Sequence, residues 1–286
     1  MIITLNDDPR EVLKKISSKY QYEKDERFWN PTVKDGKGKA FIRFIPDKEG
    51  NCSISFYQHV FKVGGRTFFA ICPTSFGKKC PLCEMNAKLW DSKLAADQDL
   101  ARTRKRIKKF VSNIYVIKDD ENPSTVGKVY LFKYGKKINK KIEAMFETLA
   151  EKSKNKDSEL LEDAVHPWSV EDGAIFKLEI TTEDGFYNYD TSTFIKLHSP
   201  LADSKEKIEE IINQTYILRE YEEELKRDAE KIEEKMRLFG LLETEKPTIK
   251  QEVKDEIEAK KIDVSDLDLD EDFDDIDEIL EEDDEL

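Results

Sequence analysis

Four side chains able to hold a zinc ion fall within 25 residues of this chain, spaced His59-x12-Cys72-x7-Cys80-x2-Cys83. The last two form Cys80-Pro81-Leu82-Cys83, a knuckle whose thiolates leave one tight turn together and reach one ion, as tetrahedral zinc requires. Gly77, Lys78 and Lys79 precede it, and a positive neighbourhood favours thiolate over thiol. Unrelated core cysteines and a surface histidine would not cluster this way in a chain with 4 cysteines and 3 histidines. Four protein donors leave no open coordination position, so the expected cofactor is one structural zinc. It would organise a loop-rich piece, including Gly64-Gly65 and Pro73, that is too small for a core of its own.

The remaining composition bounds the chain more loosely. Its 286 residues hold one or two domains, and with 38% hydrophobic and 38% charged residues only part need be compact. No apolar run approaches the roughly 18–20 residues of a membrane span, and the first residues do not read as a signal peptide. Cys52 has no evident partner. Reduced thiols with zinc predict a cytoplasmic protein. The net charge of −14 conceals opposed halves: residues 1–200 carry 35 Lys+Arg and 29 Asp+Glu, residues 201–286 carry 13 and 33. A mildly basic body joined to an acidic segment predicts an anionic partner that the acidic part repels or imitates.

Residues 1–27 read as an amphipathic arm, with Val12, Leu13, Ile16 and Tyr20 at helical spacing among Arg10, Lys14, Lys15 and Lys19. From Phe28 the texture is β-like. Strands are expected at 39–46, 53–60, 66–72, 111–117, 128–134, 174–181 and near 186–189, with helices at 85–100 and 137–153. Short strands with interposed loops predict an α+β fold, mainly β, built on a small barrel of the oligonucleotide-binding type over 28–200, with the zinc subdomain at about 59–90. A helical segment at 201–246 is expected to contain one long helix, 203–239, capped by Asp203 with Glu206 and stopped at Gly240. Residues 247–286 form an acidic tail. From 263 to 286 it has 15 acids and no base, a composition expected to stay disordered. Its sparse Leu267, Leu269, Phe273 and Ile276 suit a docking peptide.

Residues 102–141 carry 13 basic residues against 3 acids. Arg102, Arg104, Lys105, Arg106 and Lys108 run into Phe110. After a polar turn come Tyr130, Phe132 and Tyr134 on one strand face, then Lys136 and Lys137. Single-stranded nucleic acid needs cations along its backbone and flat rings under its unstacked bases, each stacked base being worth about 1–3 kcal/mol. This interleaving predicts a single-stranded nucleic-acid site. Half-buried strand rings and a solvated basic face would give the same composition, one without the other.

Several motifs occur together in order: the His/Cys spacing, Ala40-Phe41-Ile42-Arg43-Phe44-Ile45-Pro46, Asn113-Ile114-Tyr115-Val116-Ile117-Lys118-Asp119, Gly127-Lys128-Val129, Gly135-Lys136-Lys137-Ile138, Pro167-Trp168 and Phe186-Tyr187-Asn188-Tyr189-Asp190. In these the chain resembles the single-stranded DNA-binding (helix-destabilising) proteins of T-even phages, the gene 32 protein family, over about residues 28–200. The resemblance implies a non-enzymatic protein that coats single-stranded DNA during replication, recombination and repair in the host-cell cytoplasm. It also implies self-association along DNA through the N-terminal arm, and recruitment of replication and recombination proteins through the tail. Arg43, Arg106, Phe110, Phe132, Phe186 and Tyr189 fall at family DNA-contact or stacking positions. The chain departs from the family pattern in an N-terminus whose first eight residues hold no base, in Asn139 where the family has an aromatic, and in a shorter Cys72-x7-Cys80 spacing. An RNA-binding or transcription-associated zinc protein is the alternative. A two-metal nuclease is disfavoured because the acids concentrate in a segment that cannot hold ions at fixed spacing. A scaffold acting only through helix and tail would bind no nucleic acid.

Overall fold

The computed structural model describes residues 25–154, 165–183 and 186–242. The acidic tail and all but the last residues of the N-terminal arm lie outside this range.

The sheet is built around one long strand. β1 (Lys37–Ile45) alternates exposed and buried positions until it enters the core, and Pro46 closes it. β2 (Ile54–Val63) and β3 (Arg66–Ile71) form a hairpin through Gly64-Gly65, both with positive φ of 56° and 80°. A two-residue turn with both φ positive matches the strand twist, and glycine adopts it without a Cβ clash. β4 (Arg106–Asp119) is 14 residues long and pairs with three strands: β2 at its start, β1 at its end, and β5 (Val129–Tyr134). Phe110 and Val111 face β2 on one side and β5 on the other, whereas Asn113 to Tyr115 face β1 and β5. β1 and β2 therefore follow each other along a single edge of β4. β6 (Gly173–Glu183) lies on the far side of β1 and carries β7 (Phe186–Asn188) and β8 (Thr193–Ser199) on its outer edge.

This α+β architecture departs from the expected barrel, because the antiparallel sheet does not close among the described residues. The outer edge of β5, a strand that would have to close it, is taken by the preceding chain. Leu131 donates to Arg27 O at 2.8 Å and receives from Trp29 N at 2.9 Å. With those groups used, no ladder to another strand forms there.

Three helices sit beside the β elements: α1 (Pro81–Asp91), α2 (Ala95–Thr103) and α3 (Lys136–Lys154). The single helix expected at 85–100 is two. The main core gathers around Phe44, which is fully buried, with Phe132, Tyr134, Trp168, Phe176 and Phe194 all in ring contact with it. Ile138 and Ile142 of α3 join that core. The strand β8 escaped sequence analysis because its burial pattern shows little alternation.

The expected helix 203–239 is instead three short ones: α4 (Lys205–Asn213), α5 (Leu218–Ala229) and α6 (Ile232–Leu238). Two buried side chains of the sheet region account for the first break. Asn113 donates to Tyr216 O and receives from Tyr216 N, both at 2.9 Å, and Asp47 receives from Leu218 N at 2.9 Å. These bonds satisfy backbone groups that a continuous helix would have paired internally. The N-cap is Ser204, receiving from Lys207 N, not Asp203. α5 and α6 pack on the sheet and on Cys72 and Cys80 through Leu218, Leu225, Ala229, Ile232 and Met236. No helix among the described residues is long and apolar enough to cross a membrane.

Candidate metal centre and nucleic-acid face

His59 enters from β2, Cys72 directly follows β3, and Cys80 caps the N-terminus of α1, one turn before Cys83. Their donor atoms lie within 4.8 Å of one another and can hold a metal ion. Cys72 Sγ is 3.6 Å from Cys83 Sγ, and His59 Nε2 is 3.5 Å from Cys80 Sγ and 3.6 Å from Cys83 Sγ. A tetrahedral ion with bonds of about 2.3 Å to sulfur and about 2.0 Å to nitrogen needs edges of about 3.5–3.8 Å, and these three edges match it. His59 Nδ1 donates to Arg104 O at 3.0 Å, which fixes the tautomer and leaves Nε2 facing the thiols.

The electrostatics agree. Hydrogen bonds from Cys80 and Cys83 pull the Cys72 thiol far below its ordinary range, and Cys80 is pushed up because Cys72 takes the shared negative charge. Burial opposes a charged His59, but hydrogen bonds to Cys72 and Cys83 outweigh it and raise the imidazole to about 9. Cys52 stands apart, half-buried beside the main core, with its thiol raised by burial.

The basic-aromatic band divides into exposed and buried parts. Along β4, Arg106, Lys108 and Phe110 alternate onto one face, opposite His59, Tyr57 and Ser55 of β2. Arg106 is exposed and lies 4.4 Å from the Tyr57 ring centroid. Lys108 is half-buried over Phe110, and Arg104 is half-buried over Phe61, its guanidinium lowered by burial. Arg102 is exposed, paired with Asp99 and set over Trp90. Lys105 and Lys136 are exposed, and Lys137 reaches Asp190 at 3.4 Å. That ion pair ties the start of α3 to the residue after the half-buried Tyr189, which follows β7; the half-buried Phe186 begins that strand.

Four of the expected site residues are buried in this structure. Phe110, Phe132 and Tyr134 are 9%, 3% and 3% exposed and stack on one another at centroid distances of 5.6 Å. They line the core because the strand face they share is the one that α3 and Trp29 cover. Arg43, which the resemblance places at a DNA-contact or stacking position, is 1% exposed. It donates to Ser199 O at 2.7 Å and Ser169 O at 2.6 Å, and burial pushes its pKa down to about 10. It stands as an internal strut between β1 and the segments at 169 and 199.

Tyr57 went unnoticed in the sequence. Its one available signal was its position two residues before His59, which sets both on one strand face.

A family model described as "gp32 DNA binding protein like" matches residues 36–242. The chain is 33% identical over 164 residues to the single-stranded DNA-binding protein of Enterobacteria phage T4, covering 56% of this chain and 51% of that protein. The single-stranded DNA-binding protein of Enterobacteria phage T2 matches with the same identity and coverage. The chain thus spans about half the length of these relatives.

Proposed function

This chain belongs to the gp32-like family of DNA-binding proteins, and from that membership we propose that it binds and coats single-stranded DNA without catalysing a reaction on it. The observation that carries the reading is the span of the family match, residues 36–242, which takes in the sheet, the metal loop and the cation row together. In this reading Arg106 and Lys108 meet phosphates, with Arg102, Arg104, Lys105, Lys136 and Lys137 adding positive field. Phe186 and Tyr189, half-buried at the sheet end, meet bases. The open antiparallel sheet around them carries the oligonucleotide-binding role. One zinc at His59, Cys72, Cys80 and Cys83 is structural, since four protein donors leave it no open position. What it supplies is a crosslink between β2, β3 and α1, not chemistry.

The N-terminal arm serves self-association along DNA, and the acidic tail serves replication, recombination and repair proteins in the cytoplasm. Both roles rest on the resemblance and on charge.

Filter binding with matched single-stranded DNA, RNA and duplex tests the proposal. Single-stranded DNA should bind tightest, and labelled DNA should survive magnesium uncut. Arg106→Ala should weaken binding to all sequences alike and lower the salt slope by about one unit, because one phosphate contact releases its counterion. Preference for RNA would move the reading to the RNA-binding alternative, and binding to none of the three would leave a scaffold.

A further inference from the structure

We infer that Thr74 and Tyr57 are positioning residues for Arg106, tying the guanidinium that meets the DNA backbone to the metal loop. The inference rests on the reading of Arg106 as a phosphate contact. Arg106 Nη1 donates to Thr74 Oγ1 at 2.6 Å, and that oxygen lies 3.1 Å from Cys72 Sγ. A hydroxyl has one proton and two lone pairs, whereas a metal-bound thiolate can only accept. The proton therefore goes to sulfur and a lone pair to the guanidinium, so the chain Arg106 to Thr74 to Cys72 has one direction. Under the guanidinium lies the Tyr57 ring at 4.4 Å.

The same turn, Pro73–Phe76, fixes Tyr57 as well. Tyr57 N donates to Ser75 Oγ at 2.7 Å, and Cys72 N donates to Tyr57 O at 2.8 Å. Two residues before Arg106, the Arg104 carbonyl is held by His59. One metal ligand, Cys72, thus reaches the Arg106 side chain through Thr74, and another, His59, holds the backbone two residues before it. An arginine on a strand surface ordinarily loses rotamer freedom when it closes on a phosphate. One already clamped between a hydroxyl and a ring has lost it beforehand. Metal occupancy then reaches DNA affinity through a defined contact rather than only through general stability.

The test is a double-mutant cycle on full-length, zinc-loaded protein, titrated with oligo-dT at several salt concentrations. Metal content and melting temperature are measured on each variant. Thr74→Val keeps the shape and removes the hydroxyl. It should weaken binding about two- to tenfold, the cost of ordering one long side chain on binding. The salt slope should not move, because no charge is lost. Thr74→Ser should restore the wild-type constant. In the Arg106→Ala background Thr74→Val should add nothing. Should Thr74→Val shed metal, Tyr57→Leu carries the test alone, since it leaves the hydroxyl and the ligands untouched. It should weaken binding about two- to fivefold, the size of an exposed cation–ring contact, with zinc retained and no further effect on Arg106→Ala. Effects that persist in full without the Arg106 side chain overturn the positioning role while leaving the DNA-binding reading in place. If wild type binds and Arg106→Ala matches it in affinity and slope, both the positioning role and the phosphate contact of Arg106 fall. Failure of the wild type to bind oligo-dT removes the DNA-binding reading and the inference together.

Discussion

Replacing Arg43 by Met separates an internal strut from a DNA contact. In the fold, Arg43 is 1% exposed and makes two charge-assisted hydrogen bonds to backbone carbonyls, at 2.7 and 2.6 Å. Each such bond contributes about 1.5–3 kcal/mol, so about 3–6 kcal/mol is at stake. Against this stands the cost of burying the guanidinium, visible in a pKa pushed down to about 10 despite the neighbouring Asp172. That cost is several kcal/mol for a buried charge, and methionine removes it while filling much of the same volume. The Ser169 and Ser199 carbonyls then lose their guanidinium partner, at about 1 kcal/mol or more each. The balance is a net loss of about 2 kcal/mol, or a fall of about 4–8 °C in melting temperature for a domain of this size. The salt slope of single-stranded DNA binding should stay at its wild-type value, since a guanidinium buried on two carbonyls releases no counterion from DNA. Circular-dichroism melts and oligo-dT titrations between roughly 50 and 300 mM salt measure both. A slope lower by about one unit with an unchanged melting temperature would show that Arg43 reaches phosphate, and would refute the strut.

Metal analysis of protein prepared without chelator should find one zinc per chain. Chelation or Cys80→Ser should lower the melting temperature and weaken DNA binding, whereas Cys52→Ser should keep the zinc; a Cys52→Ser protein that loses it would redraw the ligand set. Phe132→Leu should cost about 1–2 kcal/mol of stability for its place against Trp29, Phe44 and Tyr134. The folded protein's DNA affinity should hold, and a drop of tenfold or more would return that ring to the binding surface. Deleting residues 251–286 should raise affinity for single-stranded DNA and promote duplex melting at low salt, because a tethered polyanion no longer competes for the basic face. The gain should fade as salt screens an attraction whose range is about 8–10 Å, and identical behaviour of the truncated and full chains from low to high salt would reduce the tail to a solubilising or docking segment.

Much of the local structure was legible before the fold. The strand at Ala40 to Ile45, the hairpin at Gly64-Gly65, the stop at Gly240 and the convergence of His59 with three cysteines all follow from short-range rules. In each, the residues that decide the conformation are neighbours in the chain or share a loop. The band of cations and rings was legible too, as a composition. Alternation showed that Phe132 and Tyr134 share a face, but not that α3 would cover it.

What remained was decided by partners far off in sequence. The break between α4 and α5 depends on Asn113 and Asp47, which bond backbone groups 103 and 171 residues away. The burial of Arg43 depends on carbonyls 126 and 156 residues away, and among the described residues the open edge of the sheet at β5 depends on residues 27 and 29 taking it. From the sequence alone come the α+β class of fold, the His59/Cys72/Cys80/Cys83 cluster and the positive character of the Arg102–Lys108 stretch, because spacing and charge are properties of the chain itself. Which cations stay in water, which rings become core and where a helical pattern breaks are settled only in the tertiary structure. Burial and the pairing of buried polar groups depend on the element that lands opposite.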